Sequence, residues 1–213
     1  MERSKRTVTG VIVFLAFFHQ VGLVGLHLES TRALFSQLIP LNLILSVGLL
    51  SVFHRPLTLR FGIFAFIIFW AGYIVELAGV YTGLIFGHYE YGASLGFKVA
   101  GVPPLIGLNW LMLLYCTGII SQQLPANIWL RSAVGAFLMT FLDMLIEPMA
   151  MEYDMWSWQN GQIPIHNFIG WLLVSFMMQY AFHSLEEEKE NPIAVPLYLI
   201  LLVFFGAFIV IRL

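Results

Sequence analysis

Three acidic side chains, Glu76, Asp143 and Glu147, lie inside long apolar runs of the chain. Asp143 and Glu147 stand four positions apart, a spacing that stacks them on one face of a helix. A carboxylate in hydrocarbon costs at least ~2.5 kcal/mol, even on the mildest insertion scale. No base is at hand to neutralise them. Arg131, the nearest in the run that holds Asp143, is about 18 Å away along a helix. The remaining routes are protonation, hydrogen bonds to His and Asn, or a wet pocket. Desolvation and like charge together are expected to leave a proton on at least one of Asp143 and Glu147 near neutral pH. A Brønsted acid beside a conjugate base is the equipment of general acid–base catalysis. Buried Asp and Asn can also simply tie helices together, at roughly 0.6 kcal/mol per hydrogen bond. That suffices for one isolated residue and falls short for three carboxyls at one level.

The elements that hold these groups follow from composition. The 213 residues are 60% hydrophobic and only 10% charged, with mean hydropathy +0.86. A soluble domain carries roughly 25% charged residues, so the solvent for most of this surface is lipid. A net charge of -2 gives no reason to expect a nucleic-acid partner. Cys116, the single cysteine, cannot form an internal disulfide and reads as a small buried hydrophobe.

On a scale of about 20 apolar residues per span, segments fall near 7–27, 33–53, 61–85, 103–120, 128–148, 166–183 and 194–212. The first, with no small-residue cleavage site after it, reads as a retained helix. His54-Arg55-Pro56, Gly101-Val102-Pro103-Pro104 and Asn160-Gly161 break the pattern. The charged run from Glu186 to Glu190 reads as a solvated loop. Pro148, directly after Glu147, predicts an end or a kink of the fifth span. The fold expected is therefore all-α: one polytopic transmembrane domain, 1–213, of about seven helices. Arg3, Lys5, Arg6, Arg55, Arg60, Arg131 and Lys189 then fall on one side, against Arg32, Lys98 and Arg212. That bias puts the N-terminus in the cytoplasm, with the cell membrane as the default location.

Helix rise converts position into depth. Glu76 and Asp143 both come out about 20 Å from the inner surface, in the outer half of the core. Asn109 reaches a similar level from the outer end of its span. His19 and His27 climb the first span, Asn42 descends the second, and His166 and Asn167 open the sixth. Polar side chains from six helices are thus expected at one depth. No His-x3-His spacing occurs within a span, so no metal site is expected. Trp156, Trp158 and Trp171 flank the outer end of the sixth segment, where Trp and Tyr commonly form an interfacial belt. Trp70, Tyr73 and Trp110 lie within spans. Aromatic faces attract cations, so proton donors among rings suit chemistry through a carbocation.

Several blocks carry a resemblance. Gly87-His88-Tyr89-Glu90-Tyr91-Gly92 leads to Gly101-Val102-Pro103-Pro104 and Leu108-Asn109-Trp110. Asp143-Met144-Leu145-Ile146-Glu147-Pro148-Met149-Ala150, Trp156-Ser157-Trp158 and Ile163-Pro164-Ile165-His166-Asn167-Phe168-Ile169-Gly170-Trp171 follow. Over roughly residues 70–175 the chain resembles the membrane carotenoid-biosynthesis family that contains carotenoid 1,2-hydratases and the bisanhydrobacterioruberin hydratase; His166 departs from its pattern. The resemblance implies addition of water across the C1=C2 bond of an acyclic, lipid-soluble carotenoid, without a redox cofactor. On that footing Asp143 is the expected proton donor and Glu147 or Glu76 the base. Asn109 and Asn167 would orient water, Trp110 and Tyr73 would line the cation site, and His19 and Trp171 would complete the binding residues. Capture of the same cation by its own chain would give a cyclase. A proton-coupled carrier is the non-enzymatic alternative, though paired discontinuous helices in two related halves are not evident. A retinal protein would need a lysine in the seventh segment, which has none.

Overall fold

The computed structural model describes residues 4–185 and 189–212, with the side chain of Arg212 left aside. Among these residues the chain forms eight α-helices: α1 (Lys5–His27), α2 (Glu29–Gln37), α3 (Ile39–Phe53), α4 (Leu59–Thr82), α5 (Leu105–Ser121), α6 (Ile128–Glu152), α7 (Ile165–Ser184) and α8 (Ala194–Arg212). Two short strands, β1 (Tyr89–Tyr91) and β2 (Trp156–Trp158), sit in the α4–α5 and α6–α7 loops. The all-α membrane bundle expected from composition is what the chain forms.

Local chemistry sets the helix ends. The Ser4, Thr58 and Asn127 side chains each accept an N–H from the first turn of α1, α4 and α6, which satisfies a donor the helix itself cannot. α4 stops at Gly83, whose φ of 64° places a would-be Cβ 2.3 Å from the His88 ring. Only glycine fits that turn.

The segment expected at 33–53 is not one helix. It is the pair α2 and α3, bent by 51° at Leu38. Pro40 lies in the first turn of α3, where its missing N–H is no loss, so the chain restarts there in a new direction. α1, α4, α6 and α8 are each long and apolar enough to cross a membrane, and the bent pair makes a fifth. α5, at 17 residues, is shorter. Nor does the fifth predicted span end at Pro148, for α6 continues to Glu152.

α5 is the central post, with Trp110, Leu113, Leu114 and Cys116 wholly buried. α6 and α7 form the most extensive helix pair, and α8 closes against α1, α5 and α6. The two ends of the bundle differ. At one, Arg55 and Glu190 exchange backbone hydrogen bonds of 2.9 and 2.8 Å, and Lys5, Arg55 and Lys189 line a cavity of about 860 Å³. At the other, β1 and β2 lie across the helix ends. Glu186, Glu187 and Glu188 of the charged run fall outside the described residues. Lys189 beside them is not solvated as expected: it is buried, donates to the Leu185 carbonyl at 2.8 Å and lies 4.8 Å over the Phe182 ring.

Candidate active site

Tyr-x-Tyr and Trp-x-Trp each place two rings on one face of a strand, because successive side chains alternate. The antiparallel register sets Tyr89 opposite Trp158, Glu90 opposite Ser157 and Tyr91 opposite Trp156. Glu90 and Ser157 are exposed, while Tyr91, Trp156 and Trp158 are buried and Tyr89 half-buried. The two-stranded sheet is therefore a cap that turns four ring donors down into the bundle.

Those donors meet the three carboxyls. Glu76 Oε2 accepts from the Tyr89 hydroxyl at 2.5 Å and the Tyr91 hydroxyl at 2.7 Å, and Oε1 from Trp110 Nε1 at 2.9 Å. Glu147 Oε2 accepts from Trp156 Nε1 at 3.0 Å and Trp158 Nε1 at 2.8 Å, and Oε1 from Asn167 Nδ2 at 2.9 Å. Among the described residues Asp143 Oδ2 has only the same Asn167 Nδ2, at 3.1 Å. An ionised carboxylate is acceptor-only, with room for several donors, and each donor favours its charged form. Glu76 and Glu147 are equipped to carry charge; Asp143 is not. Burial first, and the Glu76 charge second, hold the Tyr91 and Tyr89 phenols well above the usual tyrosine range, so both stay donors.

Glu76, Asp143 and Glu147 share the wall of one cavity of about 20 Å³ with Tyr89, Tyr91, Trp156, Trp158, Asn167 and Trp171. That volume holds about one water, which needs two to four polar partners. No Lys or Arg lines it among the described residues. Trp171 stacks on Trp110, with centroids 3.9 Å apart and planes within 6°. Beside this chamber lies a larger, mostly apolar cavity of about 160 Å³ among α1, α3, α5, α6 and α8. Ile106 and Trp156 line both cavities and form the partition between them.

The polar residues expected at one depth divide accordingly. Asn167 and Trp171 line the carboxylate chamber, and Trp110 bonds Glu76 from behind it. His19, Asn42 and Asn109 line the larger cavity instead. His27 and His166 are exposed and belong to neither. Tyr73 donates to the Val99 carbonyl at 2.8 Å and anchors a loop away from the chamber. Depth is a height along the bundle and carries no bearing around a helix. Asn109 and Trp110, adjacent in sequence, point about 100° apart and so face different cavities. Among the described residues no three His, Cys, Asp or Glu side chains converge closely enough to hold a metal ion. Sequence reasoning missed the donor roles of Tyr89, Tyr91, Trp156 and Trp158. The signal was present in the two aromatic-x-aromatic motifs, whose period of two marks short strands.

Comparison with known proteins adds a family to this geometry. The profile of the family described as carotenoid biosynthesis protein matches residues 38–213. A bisanhydrobacterioruberin hydratase of Haloarcula japonica is 29% identical over 113 residues, a match that takes in 47% of this chain and 37% of the relative. The chain thus matches well under half the length of that curated relative. No solved structure matches. With the profile running over most of its length, the chain belongs to the carotenoid biosynthesis protein family.

Proposed function

We propose that this membrane protein is a hydratase adding water across the C1=C2 bond of an acyclic carotenoid end group. The observation that carries the reading is the pairing of a one-water chamber walled by three carboxyls with an apolar cavity just across Ile106 and Trp156. The hydrocarbon chain occupies the larger cavity. The end group exceeds 20 Å³ and reaches Asp143 across the partition.

Asp143, which has the fewest hydrogen-bond donors of the three carboxyls among the described residues, gives its proton to C2. The C1=C2 π pair forms the new C–H bond and leaves a tertiary cation at C1. The indoles of Trp156, Trp158 and Trp171 and the charge on Glu147 stabilise that cation. Water in the chamber then bonds C1 through oxygen while Glu147 takes one of its protons. Glu147 returns that proton to Asp143, both within reach of Asn167, and the net change is one water added. No electrons leave or enter the substrate, so the step needs no redox cofactor. In this reading the N-terminus faces the cytoplasm and the chamber lies in the outer half of the cell membrane.

Room for one water beside a base favours hydration over ring closure. The test is incubation of the detergent-purified protein with an acyclic carotenoid, followed by chromatography and mass spectrometry. Hydration gives a product heavier by one water; a cyclase gives an isomer of unchanged mass. Asp143→Asn lowers hydration by roughly 10²–10⁴-fold while the protein still inserts. Undiminished turnover in that variant would remove Asp143 from the role.

A further inference from the structure

Hydration consumes a water at every turnover, and a chamber of about 20 Å³ holds about one. It must therefore be refilled in each cycle. Two hollows adjoin it. The larger cavity is walled mostly by Leu, Ile, Met and Phe, a lining that gives water few partners, and in the proposed reading the hydrocarbon chain fills it. The other hollow lies on the sheet. His88, Tyr89, Glu90, Ser157, Trp158 and Gln159 line a recess of about 260 Å³. His88, Glu90, Ser157 and Gln159 are exposed, so the recess is polar and open to solvent.

Tyr89 and Trp158 line the recess and the chamber alike. They are strand partners with ring centroids 5.0 Å apart, so a single pair of rings separates the two spaces. Each ring has its polar end in the chamber: the Tyr89 hydroxyl donates to Glu76 at 2.5 Å and Trp158 Nε1 to Glu147 at 2.8 Å. Of the four rings of the cap, only Tyr89 is half-buried and not buried, so solvent already touches it. We propose that the recess is the entrance for water, the second substrate, which passes between Tyr89 and Trp158 into the chamber. The proposal rests on the hydratase reading and extends it, for the two substrates then arrive by separate routes. The hydrocarbon passes Ile106 and Trp156; the water passes Tyr89 and Trp158. Glu147 stands where the routes meet, because its Oε2 accepts from both Trp156 and Trp158. A base so placed engages the water before the cation does. In the proposed orientation this water comes from the outer face, since the sheet lies at the end of the bundle away from Lys5, Arg55 and Lys189.

Ser157 is exposed in the middle of β2, lines the recess and has no part in the chamber wall. Ser157→Cys places a thiol there, while the native Cys116 is wholly buried, so methanethiosulfonate reagents react at the new site. A methyl and a benzyl adduct are made on the full protein in detergent, with isotope-labelled tryptophan. After transfer to heavy water, NMR follows the indole N–H signals of Trp156 and Trp158, both of which point at Glu147 inside the chamber. The benzyl adduct should slow their exchange by about ten-fold or more, and the methyl adduct should leave it near the unmodified rate. A distorted sheet would speed exchange, so slowing marks a blocked entrance. Gln159→Cys provides the same test where Ser157→Cys does not fold. Exchange unchanged or faster under the benzyl adduct would overturn the proposal. The assay needs no turnover: product mass decides the hydratase reading, and exchange decides the entrance.

Discussion

The two neighbouring cavities solve opposite problems. In the carboxylate chamber nearly every polar group has a partner: Glu76 and Glu147 each take three donors, all fixed by aromatic rings or Asn167. In the larger cavity the polar groups are sparse, and most of the wall is apolar. A saturated site cannot bind much, but it holds charges still. An apolar one holds whatever fits it. The contrast separates a place for chemistry, preorganised in the sense that makes electrostatic catalysis effective, from a place for recognition. Asp143 is the exception within the chamber, with a single shared donor, and that poverty is what fits it to give up a proton.

The comparison breaks most completely if Glu147 is neutralised. Glu147→Gln removes the base and turns an amide NH2 group towards either the two indole donors or Asn167, so hydration should fall by at least about a hundred-fold. Near-normal turnover would move the base to Glu76. Gly170→Ala attacks the wall instead. A Cβ there would sit 2.3 Å from the Ile85 carbonyl oxygen and 2.9 Å from the Phe86 ring. α7 must shift, carrying Asn167 one turn away with it. Overpacking of this kind costs about 1–3 kcal/mol, which thermal unfolding in detergent should register alongside a drop in rate. Trp158→Phe is gentler: a smaller aromatic ring remains and one donor to Glu147 is lost. A hydrogen bond to a charged group is worth roughly 1.5–3 kcal/mol, so a loss of roughly ten-fold or more is expected in kcat, with the affinity for the carotenoid chain unchanged.

How much of this was legible in the sequence depends on the range of the physics involved. Hydropathy is local, and the segments at 128–148 and 194–212 anticipate the start of α6 and the whole of α8. The rarity of charge in apolar runs singled out Glu76, Asp143 and Glu147 without any knowledge of packing. The break at Leu38 was missed because hydropathy averages over a turn of backbone that stays apolar. Pro40 was the available warning. The cap was missed for a different reason. Tyr89 and Trp158 are strand partners, and no local pattern says which distant segment will pair with which. Trp156 and Trp158 therefore looked like lipid-facing rings at an interface. The division of Asn109 from Trp110 failed on azimuth, which a depth argument does not contain. Tyr73 failed likewise, since nothing local announces its bond to the Val99 carbonyl.

The phenols over Glu76 sharpen the contrast through pH. Their folded-state values are raised above the ordinary tyrosine value of 10.0. Below that value both the folded and unfolded chains keep the protons, and the stability these residues contribute is fully present. As the pH rises beyond it, unfolded tyrosines ionise while the buried ones resist, so stability falls by up to about 1.4 kcal/mol per pH unit for each phenol. Melting temperatures taken at about pH 8 and about pH 10.5 should diverge, and Tyr91→Phe should reduce the divergence. An equal difference in the variant would place the alkaline loss elsewhere.

The smallest change tests the partition itself. Trp156 is tethered to Glu147 by its indole N–H, whereas Ile106 lies in the first turn of α5 and is held by packing alone. Any give in the wall is therefore at Ile106. Ile106→Val removes one methylene at a cost of about 0.5–1.5 kcal/mol, too little to disturb the fold, and widens the passage to Asp143. If the end group must cross there, kcat should rise by roughly two- to three-fold, less than 1 kcal/mol in barrier, while Kd for the chain stays put. Ile106→Phe should do the reverse, slowing hydration with the chain still bound. Should both variants change Kd and leave kcat alone, Ile106 would be a wall of the recognition cavity and no part of the route to the acid.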